Sequence, residues 1–274
     1  MDHREKGGGH RVRARRGVTS REEPDLSGRV ALITGSSRGI GAAIARRFAR
    51  AGARVAIHGR DEEALEEVRA YIEREGAEAI AVTADITDFV QVEAMRRRVD
   101  EGLGPVDILV ANAGGSRTPP HQPLEETGLD GWRASLDVNL TGTFHLLKSI
   151  LPGMKQRGRG AVITVSSAAA RRPTVRSPLP YAAAKAGVEL LTRGVALEAG
   201  PFGVRANCIA PETILTEKNE RLIPAEQRRS LIDRHPVRRL GVPDDVAEAA
   251  LFLASDRASW ISGIVLDVAG GAVV

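Results

Sequence analysis

Tyr181 and Lys185, in the stretch YAAAKAG, stand four residues apart, so on a helix they share one face. A free phenol with pKa about 10 is protonated and unreactive at neutral pH. An ammonium about 4 Å away at an effective dielectric near 20 favours phenolate by about 4 kcal/mol, a ceiling of ~3 pK units. That brings a tyrosine into acid–base range. Taken alone, the five residues fit equally an exposed aromatic and a solvated lysine on an alanine-rich helix.

A second group of residues is suited to phosphate. TGSSRGIG places Gly35, Gly39 and Gly41 at G-x-x-x-G-x-G spacing directly after an apolar run. Glycines there let the backbone turn sharply and approach a pyrophosphate, while the helix that follows offers free N–H groups and its positive dipole end. The strand–turn–helix context marks a dinucleotide site. About twenty residues on, where an NAD-selective site places an acid on the ribose hydroxyls, the chain has Gly59 and Arg60. Arg60 and Arg38 could clamp a ribose phosphate as guanidinium forks, which favours NADP(H) over NAD(H). The alternative is that both are solvated, with Arg60 paired to Asp61 or Glu62.

The elements that must position these groups alternate. RVALIT, RVAIH, AIAVTA, DILVA, AVITVSS, VRANCIA and IVLDV are short apolar runs separated by amphipathic stretches. Leu65, Val68 and Ile72 share one helical face, as do Val92, Met95 and Val99; one long helix passes through Trp132 and Leu147. About seven strands joined through helices predict an α/β fold, a doubly wound parallel sheet (Rossmann fold) with helices on both faces and a single domain.

The chain of 274 residues is 42% hydrophobic, and no apolar run reaches the roughly 18 residues of a membrane span. Residues 1–24 read as a flexible basic extension before a domain of residues 25–274. Residues 1–23 hold seven Lys/Arg against four Asp/Glu, most of the net charge of +4. That excess sits in a short arm without interleaved aromatics, which makes nucleic-acid binding a minor reading. The single cysteine, Cys208, lies in an apolar segment and suits a reduced cytoplasmic protein. No histidine stands at metal-site spacing from Cys, His or a carboxylate, so no metal is expected.

TGSSRGIG, ANAG (111–114), Asn139 in DVNLTG, the serine pair 166–167, YAAAK and RANCIAP together resemble the short-chain dehydrogenases/reductases, from about Leu26 to Gly271. The resemblance implies that Tyr181 protonates a carbonyl oxygen as hydride arrives and accepts the proton in reverse. Lys185 would lower its pKa and bind the nicotinamide ribose, Ser167 would hold the substrate oxygen, and Asn139 would anchor a water. Two preorganised donors would then meet the oxygen where negative charge develops. Further cofactor contacts are implied for Ser37, Ile40, Asp85, Ile86, Asn112, Ala113, Gly114, Pro211, Ile214 and Thr216. Asp85 also fits a helix cap and Thr216 a loop hydroxyl.

The chain departs from the family pattern. Ser167 and Tyr181 are 14 apart rather than 13, Ala111 replaces an asparagine, Glu212 stands where Pro-Gly is usual, and Ala269 replaces an aspartate. Glu212 fits either the pocket rim or a solvated surface. Arg157, Arg159, Arg171, Arg172, Arg176, Arg228 and Arg229 suggest steering of an acyl carrier protein and a 3-oxoacyl thioester substrate; Phe202, where carrier-protein reductases usually have arginine, counts against it. Thr213 to His235 would form a substrate lid. The family further implies a homotetramer built through the helices of Asn139 and Tyr181. Sugar or polyol dehydrogenation, and a nucleotide-sensing module without turnover, are the competing functions.

Overall fold

The computed structural model describes residues 24–119, 122–174 and 177–273. All of the expected basic arm except Pro24 lies outside the described residues, as does Arg176.

Seven parallel strands form one sheet: β1 (Val30–Thr34), β2 (Arg54–Gly59), β3 (Ala79–Thr83), β4 (Ile108–Ala111), β5 (Gly160–Val165), β6 (Val204–Pro211) and β7 (Val265–Val268). Their spatial order is β3-β2-β1-β4-β5-β6-β7. Each strand lies where an apolar run predicts one. The order reverses at β1, which pairs with β2 on one side and β4 on the other. That crevice at the carboxyl ends of the strands is where open α/β sheets bind ligands.

Because successive side chains on a strand face opposite ways, both faces of the sheet are apolar. Ala31, Ile33, Val55, Ile57, Ile108 and Val110 pack on one side with α1 (Gly39–Arg50), α2 (Glu62–Arg74) and α9 (Pro243–Ala254). Val30, Leu32, Ala56, Leu109 and Val162 pack on the other with α3 (Phe89–Gly102), α5 (Gly142–Arg157) and α6 (Leu179–Ala199). The stripes Leu65/Val68/Ile72 and Val92/Met95/Val99 are buried. Helix starts follow the sequence: the Asp61 carboxylate accepts from the Ala64 N–H, and Asp88 from the Val90 N–H at 2.8 Å.

The long helix expected through Trp132 and Leu147 is interrupted. Between α4 (Leu129–Leu136) and α5 lies a π-helical turn, Asp137–Thr141. The Thr143 hydroxyl donates to the Asn139 carbonyl at 2.8 Å, and the Asn139 carboxamide donates to the Ser135 carbonyl at 2.9 Å. Such wide turns recur at functional sites because they redirect one side chain from the helical spiral. Here that side chain is Asn139, fully buried.

At the opposite end of the sheet, Arg205 in β6 fastens α9. Its guanidinium donates to the carbonyls of Leu253 (2.8 Å), Ser255 (3.1 Å) and Ala254 (3.3 Å), groups that a helix C-terminus leaves without partners. Burial holds the Arg205 pKa below its ordinary value. Arg205→Ala should therefore destabilise the protein by about 3 kcal/mol, read as a fall of roughly 6–12 °C in the melting temperature. Nucleotide affinity should hold in the variant below its melting range.

Candidate active site

The turn after β1 needs glycine for two different reasons. Gly35 and Gly39 have positive φ, 65° and 55°, which side chains disfavour. At Gly41 a Cβ would stand 2.2 Å from the Gly35 carbonyl oxygen, so the backbone itself fills that space. The first turn of α1 has no side-chain cap and no acidic residue, leaving its N–H groups and dipole end for an anion. Asn112 holds the turn from the neighbouring strand end, donating to the carbonyls of Thr34 (2.9 Å) and Gly35 (3.0 Å). The Thr34 hydroxyl accepts from the Asn112 and Ala113 N–H groups, both at 3.1 Å.

Two cavities meet at this turn. One of about 350 Å³ runs from Gly35, Gly39, Ile40 and Gly41 past Pro211, Ile214 and Thr216 to Ser167, Tyr181 and Lys185. The other, of about 580 Å³, reaches over the ends of β2 and β3 to Ser37, Arg60, Asp85 and Ile86. Gly35, Arg38, Ala113 and Gly114 border both, making one elongated cleft. Every residue expected at the nucleotide lines this cleft, whose length, glycine floor and unshielded helix end fit a dinucleotide.

Side chains at the inner end are closely fixed. Lys185 is buried and donates to the Val165 carbonyl at 2.7 Å; burial brings its pKa down to about 8. Its Nζ lies 5.8 Å from the centre of the Tyr181 ring, so the two residues share a face as their spacing requires. The expected lowering of the Tyr181 pKa is absent: burial pushes the phenol up, opposed only by a hydrogen bond with Ser167. One donor of the ammonium goes to the Val165 carbonyl, and loss of hydration sets the direction of the shift at the phenol.

The two serines separate cleanly. Ser166 is buried, its hydroxyl within reach of the Lys185 carbonyl (3.1 Å) and the Glu189 carboxylate (3.0 Å). Ser167 stands at the cavity wall, its oxygen accepting from the Ala169 N–H at 3.2 Å. Asn139 lies behind the wall, clasping the strand end through Gly115: its Oδ1 accepts at 2.9 Å and its Nδ2 donates at 3.0 Å. Its carboxamide is spent on protein, and its backbone carbonyl accepts from the Thr143 hydroxyl, with two lone pairs to offer. Gly114 separates Asn139 from Lys185, and a Cβ there would stand 2.5 Å from the Asn139 Oδ1 and 3.3 Å from the Lys185 Nζ.

The outer end departs from expectation. Arg38 pairs with Asp61 rather than projecting free, while Arg60 makes no ion pair among the described residues. Asp85 turns its carboxylate onto Thr87, accepting from the N–H (2.9 Å) and hydroxyl (2.8 Å), and the cap of α3 is Asp88. Thr216 is the N-cap of α7 (Glu217–Leu222), which α8 (Ala225–Arg234) follows within the expected lid. Sequence reasoning missed His58, buried under the glycine turn: its Nδ1 accepts from the Gly35 N–H at 3.4 Å and its Nε2 lies 3.0 Å from the Ala84 carbonyl. A histidine inside an otherwise apolar strand was the available signal.

Most arginines expected to greet an acidic carrier protein are engaged elsewhere. Arg157 and Arg159 precede β5, at the end of the sheet opposite the cleft, and bind the Val106 carbonyl (2.6 Å) and Asp107 (3.2 Å). Arg171 bridges Glu189 and Asp267, and Arg172 donates to the Ala272 carbonyl at 2.5 Å. Arg228, on α8, donates to the carbonyls of Glu220 and Ile223. Glu212 also turns inward, to His235.

Lowering of the Lys185 pKa has a stability consequence of defined sign. Folding disfavours the charged form, so the cost is full below about pH 8 and disappears as pH rises toward the unfolded value of 10.5. Lys185→Met should therefore be more stable than the parent at pH 7, by about 2 kcal/mol after loss of the Val165 hydrogen bond. Denaturant melts from pH 7 to 10.5 should show that advantage shrinking; an advantage independent of pH would contradict the burial cost.

A family model described as Enoyl-(Acyl carrier protein) reductase matches residues 35–273. The 7alpha-hydroxysteroid dehydrogenase of Escherichia coli K12 is 38% identical over 249 residues, covering 90% of this chain and 95% of its own. Glucose 1-dehydrogenase 2 of Bacillus subtilis is 36% identical over 251 residues, with the same coverage. Among solved structures, a 7 alpha-hydroxysteroid dehydrogenase complexed with NADH and 7-oxo glycochenodeoxycholic acid superposes with a TM-score of 0.85 at 38% identity, covering 90% and 95% of the two chains. A 3-oxoacyl-[acyl-carrier protein] reductase with bound NAD from Brucella melitensis gives 0.84 at 34% identity, with coverage of 92% and 93%. By sequence over nine-tenths of its length and by the shape of its sheet, the chain belongs to the short-chain dehydrogenase/reductase family, oxidoreductases of hydroxyl and carbonyl groups that use a nicotinamide cofactor.

Proposed function

We propose that the protein transfers hydride between NADP(H) and a small secondary alcohol or ketone. The observation that carries this is the convergence of Ser167, Tyr181 and Lys185 on the inner wall of the nucleotide cleft. The nicotinamide, when bound, supplies or accepts the hydride. Tyr181 holds the proton at its phenolic oxygen and delivers it to the carbonyl oxygen, the raised pKa keeping it protonated in the reductive direction. Ser167 donates a second hydrogen bond to that oxygen and orients it. Lys185 binds the ribose hydroxyls and stabilises the phenolate left after proton delivery; Asn139 fixes the wall at Gly115 and presents its carbonyl for a water.

Arg38 and Arg60 support NADP(H) over NAD(H), since no carboxylate stands at 59 or 60 to repel a ribose phosphate. The Arg38–Asp61 pair must open to admit that phosphate, which narrows the preference; relatives are solved with NADH and NAD. A free small molecule is favoured over a carrier-bound thioester because Arg157, Arg159, Arg171 and Arg172 are internally engaged. Exposed Phe144 on α5, with Leu190 and Leu197 on α6, supports a homotetramer assembled through those helices. No helix among the described residues is long and apolar enough to cross a membrane, and the lone buried cysteine supports a cytoplasmic setting.

The test is a fluorescence titration with NADPH and NADH, followed by turnover with a panel of ketones and alcohols. NADPH should bind tighter than NADH, and Tyr181→Phe should cut turnover at least a thousand-fold while nucleotide affinity stays within about three-fold. Nucleotide binding without turnover of any substrate would favour a sensing module. Asp61→Asn keeps a capping side chain on α2 while releasing Arg38, and should raise the NADPH:NADH affinity ratio about ten-fold. An unchanged ratio would remove Arg38 from the phosphate contact.

A further inference from the structure

Glu212 follows β6 directly and forms part of the wall between the reaction cavity, which it shares with Ser167 and Tyr181, and a second cavity of about 380 Å³. Its backbone is fixed, the N–H donating to the Val268 carbonyl of β7 at 3.2 Å. One carboxylate oxygen, Oε2, accepts from the Thr213 N–H and lies 2.7 Å from the His235 Nε2. His235 is buried at the C-terminal end of α8, and its Nδ1 lies 2.8 Å from the Leu231 carbonyl. A carbonyl only accepts, and so does an ionised carboxylate. The two contacts together fix the imidazole and, through it, the carboxylate.

The other oxygen, Oε1, has no donor among the described residues, and the side chain is 30% exposed. The carboxylate is thus held through Oε2 on a residue that lines the reaction cavity, with Oε1 left as an acceptor. A hydrocarbon placed against it would strip its water and return nothing, whereas a donor on the substrate would replace that water. The glycine turn lies beside a different acid, Glu217, whose carboxylate would stand 3.8 Å from a Cβ on Gly39; Glu212 belongs to the substrate end.

We infer that Glu212, positioned by His235, is a specificity residue that accepts a hydrogen bond from a second hydroxyl of the substrate, selecting neutral polyhydroxy compounds over alcohols with one hydroxyl. This rests on the hydride-transfer reading above and names its substrate class. His235 is a positioning residue that touches no substrate.

The experiment compares kcat/KM of the full chain and Glu212→Gln with NADP⁺ and two sets of alcohols: xylitol and sorbitol, against cyclohexanol. The parent should favour the polyols, and the variant should lower the polyol-to-cyclohexanol ratio about ten- to a hundred-fold, chiefly through the polyol KM. A purely structural role would lower all substrates together and leave the ratio standing, which overturns the inference while the hydride-transfer reading survives. Turnover of none of the alcohols by the parent would overturn both. Independently of turnover, saturation-transfer NMR on the nucleotide complex should show xylitol contacting the parent and losing contact in Glu212→Gln and His235→Leu. Equal contact in all three overturns the inference, and matching melting curves exclude misfolding as the cause.

Discussion

A buried ammonium is the constraint on which the rest of the site depends. Lys185 loses nearly all of its hydration, and a single backbone carbonyl, that of Val165, receives it at 2.7 Å. An arrangement this costly persists only where neighbouring elements hold it in place. α6 fixes the lysine, the end of β5 supplies its acceptor, and Gly114 is small enough to pass between it and Asn139. The π turn before α5 exists at the residue that closes this wall from behind. The site is therefore a consequence of how strand ends meet two helices, with little freedom left in any single side chain.

Beneath that wall runs a second polar layer. Glu189, one turn after Lys185 on α6, is buried and receives both Ser166 and Arg171, and Arg171 continues to Asp267 on β7. This chain ties the segment after β5, which carries Ser167, to a helix and to the far strand of the sheet. The extra residue between Ser167 and Tyr181 is thus accommodated in a loop whose first part is anchored. On the other side of the cavity, Glu212 and His235 tie the end of β6 to the end of α8. Rigid anchors on both flanks leave α7, which borders the cleft, and α8 without a buried residue of their own.

Much of this was legible in the sequence, for identifiable physical reasons. Strands buried on both faces read as continuous apolar runs, and helical stripes such as Leu65, Val68 and Ile72 repeat at a period that composition cannot imitate. The glycine turn was legible because its constraints are local: a positive φ at Gly35 and a backbone contact at Gly41. Partners distant along the chain were not legible. Nothing near Arg38 announces Asp61, and nothing near Glu212 announces His235, twenty-three residues later. The arginine-rich composition suggested an electropositive mouth, whereas carbonyls and carboxylates brought close by folding take up Arg157, Arg159, Arg171 and Arg172. The phenol was misjudged for a related reason: spacing shows that Lys185 and Tyr181 share a face, but only the packed structure shows the burial that pushes the phenol up.

The most direct test of this account is an NMR pH titration of Lys185 in protein labelled at its lysine side chains, with Lys185→Met identifying the resonance. A side chain buried as described should titrate near pH 8 in the absence of nucleotide. A midpoint at the ordinary lysine value, about 10.4, would mean that the ammonium is hydrated and that the wall built around it does not exist in solution.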